Sequence, residues 1–121
     1  MLVVLEPVSS LAFPSQAALD KDLIARMEQN SQTHAQGYIA KMVDRLRKDS
    51  VAAWGVVVWG VAADEIVDYA GKNQVDLIIM STHGRSGVSR WAFGSVADKV
   101  MRRSPVPVLV IPPDSSGHGS L

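Results

Sequence analysis

The sequence contains no cysteine, so disulfide frameworks, thiol nucleophiles and thiolate-bound metals are excluded. Its 12 basic and 12 acidic side chains leave a formal net charge of zero, and no global field therefore favours nucleic acid or an anionic membrane. No apolar run approaches the roughly 20 residues of a membrane span, and the chain does not open with a signal-peptide pattern. These absences predict a cytoplasmic protein that binds neither nucleic acid nor a membrane.

Patterns that would identify an enzyme are also missing. The Gly-Lys-Ser/Thr sequence of a P-loop does not occur, which argues against a fast ATPase. The serines have no recognisable His/Asp partners in the sequence. Asp64, Glu65 and Asp68 share one short predicted helix, where they suit the positive end of the helix dipole better than a metal ion. We therefore predict no catalytic set and no metal site.

The chain of 121 residues is long enough for one domain with an ordinary core, which we expect to span residues 1–112. Four apolar runs alternate with three helical patterns over this span, and the Ser/Gly-rich residues 113–121 read as a disordered tail. Such alternation predicts an α/β fold, a mainly parallel sheet with helices on both faces.

Apolar periodicity gives the expected position of each element. The apolar runs 1–6, 51–59, 75–80 and 106–111 predict strands. The first, third and fourth are expected to be buried, the third on both faces of the sheet. In the first helix, apolar residues recur at spacings of four, and the expected buried stripe is Leu19, Leu23, Met27, Tyr38, Met42 and Leu46. Gly37 and the polar run before it weaken the middle of this helix, so its C-terminal half is the firmer prediction.

The most informative stretch follows the third predicted strand. It reads Ser81-Thr82-His83-Gly84-Arg85-Ser86-Gly87 and is closed by Gly94-Ser95, where a last helix begins. Ser95 and Asp98 stand in the Ser-x-x-Asp relation of a capping box. A strand that leads through small residues into a helix N-terminus offers free N–H groups and a positive dipole end. This combination suits an anion, phosphate first of all.

The same stretch resembles the universal stress protein family, whose pattern is Gly-x-x-Gly, nine residues, then Gly followed by Ser or Thr. Here it reads Ser81-Thr82-His83-Gly84, nine residues from Arg85 to Phe93, and Gly94-Ser95. The similarity extends along nearly the whole chain. Ser81 replaces the first glycine, and the chain begins at what resembles the second strand of the family. The resemblance thus implies a Rossmann-like parallel sheet, of the adenine nucleotide alpha hydrolase type, without its first strand and helix.

By the same resemblance, the chain would hold ATP, with or without magnesium, at the ends of its strands. Val4, Met80 and Ser81 would contact the base and ribose. The phosphates would contact two segments. One is the turn, with His83, Gly84, Arg85, Ser86 and Gly87, and the other is the start of the last helix, with Gly94, Ser95 and Val96.

The resemblance also implies a homodimer in which strand 106–111 pairs with the same strand of a second copy. The leading hypothesis is therefore a regulatory stress-response module that binds ATP and acts through association rather than turnover. Two alternatives remain open at this point. One is a nucleotide-independent interaction module of the same fold, favoured by the absent first strand and by Ser81. The other is a weak ATP hydrolase using His83 and Arg85.

Overall fold

The computed structural model describes residues 1–8, 20–81 and 94–112. Within it the chain divides into two compact units, Met1–Glu65 and Ile66–Leu121, which are described separately. The predictions for 82–93, including His83, Gly84, Arg85, Ser86 and Gly87, lie outside the described residues, and so does the predicted tail 113–121.

The first unit is built on two parallel strands. β1 (Leu2–Leu5) pairs with β2 (Val56–Trp59), and the register runs from Leu2 opposite Val56 to Leu5 opposite Trp59. Residues 51–55, predicted as part of the second strand, precede it without regular structure. The predicted strand was too long because β-branched and aromatic residues continue upstream of the paired segment, whereas only the last four residues pair with β1.

A single long helix, α1 (Lys21–Lys48), packs on both strands of this unit. It begins at Asp20, whose side chain accepts a hydrogen bond from the N–H of Asp22 at 3.1 Å. At its other end the N–H groups of Ser50 and Val51 return to the carbonyls of Arg47 and Leu46, with Ser50 at a φ of 62°. The helix runs without interruption through Gly37.

The predicted buried stripe of α1 is wrong for four of its five described members, since Leu46 is exposed as well and only Met42 is half-buried. Leu23, Met27 and Tyr38 are 47, 43 and 54% exposed, whereas the buried residues are Ala35, Ile39 and Val43. Towards its N-terminus the same buried face carries half-buried Ile24, Glu28 and Gln32. The sequence pattern misled because two of these core-facing positions are polar, which left the flanking apolar residues to dominate the periodicity.

Helix α2 (Ala62–Lys72) follows β2 and runs from the first unit into the second. Its first N–H, that of Ala62, donates to the carboxylate of Glu6 at 3.3 Å, so a residue just beyond β1 caps this helix. Asp64 and Glu65 lie in its first turn, as predicted.

The second unit contains another parallel pair. β3 (Ile78–Ser81) pairs with β4 (Val108–Ile111), with Ile78 opposite Val108 and Ser81 opposite Ile111. Between them in the chain is α3 (Ser95–Arg103), which packs against β4 and buries Ala97 and Val100. The turn from α3 into β4 is fixed by the Ser104 hydroxyl, which accepts from the N–H of Val106 at 3.1 Å.

The alternation of strands and helices and the parallel pairing confirm the predicted α/β class. The expectations that strand 75–80 is buried on both faces and that strand 106–111 is buried are wrong, and β1, also expected to be buried, is half-buried along Leu2–Leu5. Ile79 is 60% exposed, and Leu109 and Ile111 are 49 and 48% exposed, while the residues between them are half-buried. In the part of the chain that the structure describes, α3 is the helix packed against β4, which explains why one face of this pair is accessible.

Candidate functional site

The candidate site lies in the second unit, where α3 begins. Gly94 is the N-cap of this helix, with φ 80° and ψ 155°, and no side chain caps it. These angles fall in a region that only glycine populates readily. Among the described residues beyond its chain neighbours, no heavy atom lies within 4 Å of the position that a Cβ on Gly94 would occupy. The backbone angles, and not lack of room, therefore require glycine here.

The capping box predicted for Ser95 and Asp98 is not formed. Ser95 is the first helical residue, and the N–H of Asp98 donates to the carbonyl of Gly94 at 3.0 Å. The Asp98 carboxylate instead accepts from Nε of Arg102, at 3.1 Å for Oδ1 and 3.0 Å for Oδ2. The prediction failed because glycine and serine are both accepted N-caps, and the sequence does not decide between neighbours.

The first turn of α3 is consequently able to receive an anion. The N–H groups of Ser95, Val96 and Ala97 precede the first intrahelical hydrogen bond of α3, and they point along the positive end of its dipole. Gly94 and Ser95 are exposed and Val96 is half-buried. The one acidic residue of this turn, Asp98, is paired with Arg102.

The predicted site residues fall into three groups. Gly94, Ser95 and Val96 are consecutive at the start of α3. Met80 and Ser81 end β3, opposite Val110 and Ile111 of β4, with Met80 half-buried and Ser81 exposed. Val4 is half-buried within β1 and belongs to the first unit. The remaining predicted site residues, which form the turn from His83 to Gly87, lie outside the described residues.

Sequence reasoning missed a polar arrangement in the first unit. Nε1 of Trp59 donates to Oε1 of Gln32 at 2.7 Å, and the N–H of Val8 donates to Oε1 of Glu28 at 3.2 Å. Glu28 and Gln32 lie one turn apart on the buried face of α1, so each satisfies a donor near the carboxyl end of a strand. The sequence signal for this arrangement was the spacing of four between Glu28 and Gln32, which places two polar side chains on one face of the helix.

No membrane-crossing helix is found in the described ranges, since none combines sufficient length with sufficient apolar character. The same described residues contain no group of three or more His, Asp and Glu side chains placed to hold a metal ion.

Comparison with known proteins identifies the family. The sequence profile of the Universal stress protein family matches residues 2–112. This chain belongs to the universal stress protein family. It is 42% identical over 69 residues to Universal stress protein MJ0531 of Methanocaldococcus jannaschii, covering 53% of this chain and 41% of that protein. Over 56 residues it is 39% identical to Universal stress protein MJ0577 of the same organism, with coverages of 46 and 35%. The chain thus spans less than half the length of these curated relatives in the matched segments.

Solved structures support the fold assignment. The structure of MJ0577 superposes with a TM-score of 0.75 at 23% identity, covering 95% of this chain and 75% of that one. The structure of hypothetical protein PH0823 gives a TM-score of 0.66 at 21% identity, with coverages of 96 and 75%. This universal stress protein therefore has the Rossmann-like α/β fold predicted from its sequence.

Proposed function

We propose that this universal stress protein is a cytoplasmic regulatory module that binds ATP at the start of α3. The observation that carries the proposal is the N-terminal turn of this helix, capped by Gly94 with no side-chain hydrogen bond. Three consecutive N–H groups at a positive dipole end suit the negatively charged oxygens of a phosphate chain. The family membership and the Gly94-Ser95 motif add support, because the motif resembles the phosphate-binding segment of ATP-binding family members.

The residues described at this place fit a phosphate group. Gly94, Ser95 and Val96 would offer main-chain N–H groups, and Ser95 would also offer its hydroxyl. The space beside Gly94 is open, so no described side chain obstructs an approaching oxygen. Met80, Ser81 and Val4 remain predictions for the base and ribose, and the turn residues His83, Gly84, Arg85, Ser86 and Gly87 remain predictions for the phosphates. Magnesium would accompany the nucleotide by balancing its charge. We propose no catalytic residue, and slow hydrolysis would be incidental.

Titration calorimetry with ATP and magnesium tests this proposal, with Gly94→Asp as the critical variant. The new carboxylate would occupy the anion position, so we expect binding to be abolished. Aspartate is itself a favoured N-cap, and α3 should therefore persist in circular dichroism spectra. Gly94→Ala is the matched control for backbone angle, because it imposes the same conformational strain without a charge and should weaken binding without abolishing it. Affinity that is unchanged in Gly94→Asp would contradict the proposed site.

A nucleotide-independent interaction module is the second candidate. The exposed apolar residues Ile79, Leu109 and Ile111 on the β3–β4 pair favour it, since contiguous apolar surface of this kind marks interaction sites. The two candidates differ in one measurement. If the chain binds ATP, ATP with magnesium raises the melting temperature; if the chain is a nucleotide-independent interaction module, the melting temperature does not change.

A further inference from the structure

Helix α1 exposes a second line of side chains, beside the face that packs on the strands. Leu23, Met27 and Tyr38 are exposed apolar residues of this helix. Spacings of three and four residues join them to polar positions that are also exposed, so that all of them follow one side of the helix. We call this line the outer stripe, and its members in chain order are Asp20, Leu23, Met27, Asn30, Ser31, His34, Tyr38 and Lys41.

The positions along the outer stripe are symmetric. Its centre lies between positions 30 and 31, and every member before the centre has a counterpart at the same distance after it. Leu23 corresponds to Tyr38, and Met27 corresponds to His34. Two antiparallel copies of α1 that cross at the centre would therefore bring each residue against its counterpart. Every such contact would occur twice, once on each side of a twofold axis.

The counterparts are also chemically compatible. Leu23 would pack on the ring of Tyr38 from the second copy. The thioether of Met27 would lie against the imidazole of His34, a favourable contact between sulfur and an aromatic ring. The residues at the crossing, positions 30 and 31, are short and polar, which permits the two helix axes to approach closely.

Charge favours the antiparallel direction. Asp20 caps α1 through Oδ1 and lies at one end of the outer stripe, whereas Lys41 lies at the other end. An antiparallel pair joins these opposite charges at both ends. The first turn of α1 also contains the acidic Asp22, while its last turn carries basic residues. A parallel pair would instead bring like charges together at each end.

We propose that the outer stripe is a contact between two copies of this chain, formed by antiparallel packing of α1 about a twofold axis. The contact uses a different surface from β4 and requires no nucleotide, so it goes beyond the function proposed above. Three apolar residues from each copy enter it, Leu23, Met27 and Tyr38, whereas β4 pairing would add main-chain hydrogen bonds. The α1 contact is therefore the weaker one, and it forms at higher protein concentration.

Disulfide crosslinking tests the geometry, because the chain has no cysteine of its own. Ser31→Cys places a thiol beside the twofold axis, so mild oxidation at high protein concentration should yield a covalent dimer on a denaturing gel. Gln29→Cys is the matched control, since Gln29 is exposed two residues away but lies on the opposite side of α1. This control should remain a monomer on the gel. Equal crosslinking of the two variants would refute the proposal.

Mixing two variants tests the antiparallel direction. Met27→Cys and His34→Cys should crosslink when the two proteins are mixed, because each residue meets its counterpart across the axis. Oxidised alone, either variant should give no covalent dimer, since the two identical positions would be about 10 Å apart along the helices, too far for a disulfide. Crosslinking of each variant alone, with no gain on mixing, would mean a parallel pair and would contradict the proposal.

Sedimentation equilibrium tests the contribution to association. In a Leu109→Arg background, chosen to remove β4 pairing, the chain should pass from monomer to dimer at concentrations above those at which β4 pairing is complete. Adding Leu23→Arg should weaken this dimer by about tenfold or more, because the new guanidinium would lie near Lys41 of the second copy. Val51→Arg is the matched control, since Val51 is 48% exposed, compared with 47% for Leu23, but lies outside α1.

Val51→Arg should leave the dimer unchanged. A dimer that resists Leu23→Arg, or one that Val51→Arg weakens equally, would contradict the proposal. If Leu23→Arg instead lowers the melting temperature of the dilute monomer, then the outer stripe is covered within a single chain and the proposal is wrong. Failure of ATP binding would leave all of these expectations in place.

Discussion

At the scale of single residues, Gly37 and Gly55 differ in whether the surrounding structure leaves room for a side chain. Gly37 lies within α1 with nothing within 4 Å of the position of a Cβ. Gly55 lies immediately before β2, where a Cβ would stand 2.7 Å from Cγ1 and 2.9 Å from Cδ1 of the buried Ile39. Gly55 therefore permits close approach of the chain to α1, whereas Gly37 only weakens the helix.

We predict that Gly37→Ala raises the free energy of unfolding by about 1 kcal/mol, the difference in helix propensity between the two residues. Gly55→Ala should lower it by about 1–3 kcal/mol, because the methyl group overpacks against Ile39. Urea denaturation of both variants provides the measurement, and each is the control for the other because the chemical change is identical. Equal effects of the two substitutions would contradict the packing described for Gly55.

Residue identities predicted where α3 begins better than they predicted how it is capped. Gly94 and Ser95 mark the start of α3 in the sequence, and the structure places them there. Which of them caps the helix could not be predicted, since both residue types are favoured N-caps and the choice depends on the φ of Gly94 and on the partner of Asp98.

At the scale of elements, the sequence predicted the helix α1, but most of the residues it assigned to the buried face of this helix are exposed. Hydrophobic spacing identified Leu23, Met27 and Tyr38, which are exposed. The face that contacts the strands contains Glu28 and Gln32, whose polarity is tolerated because the N–H of Val8 and the indole N–H of Trp59 donate to them. A pattern based on hydrophobicity alone has no means of identifying a core-facing residue that is chosen for its hydrogen bond.

The Gln32 contact leads to a prediction for this element. Gln32→Leu leaves the indole N–H of part-buried Trp59 without its acceptor and should lower the free energy of unfolding by about 1–3 kcal/mol. In a Trp59→Phe background the same substitution should cost much less, because the donor is absent. Gln29→Leu, at an exposed position of the same helix, is the control and should change stability by less than about 0.5 kcal/mol. Chemical denaturation of the unmodified protein, the three single variants and the double variant provides the measurement. A cost for Gln32→Leu that persists in the Trp59→Phe background would show that the hydrogen bond is not its cause.

The strands were predictable as elements but not in their burial. Nearly continuous apolar runs correctly indicated parallel pairing for β3 and β4. They also indicated burial, on both faces for 75–80, whereas Ile79, Leu109 and Ile111 are accessible. An apolar run indicates that a strand is able to be buried, whereas the exposure of the strand depends on which elements cover it.

At the scale of the whole molecule, these accessible residues bear on association. We propose that β4 pairs with the same strand of a second copy, as expected from the family, with Leu109 near the centre of the contact. The exposed edge and the apolar residues beside it would then be covered together. A Leu109→Arg substitution would bring two guanidinium groups close to the twofold axis.

We predict that Leu109→Arg yields a monomer in light scattering at concentrations where the unmodified protein is a dimer. Leu77→Arg is the matched control, because Leu77 has a similar exposure of 46%, compared with 49% for Leu109, but precedes β3. That variant should remain dimeric. A dimer that persists in Leu109→Arg would place the association surface elsewhere.

The central claim is that free amides at the start of α3 bind the phosphates of a nucleotide. Backbone amide chemical shifts recorded during a titration with ATP and magnesium test it most directly. The account predicts that the signals of Ser95, Val96 and Ala97 move in a saturable manner, while those at the opposite end of α3, at Arg102 and Arg103, move little. If ATP saturates the protein and the Ser95, Val96 and Ala97 signals remain in place, or if no signal responds at all, the claim is contradicted.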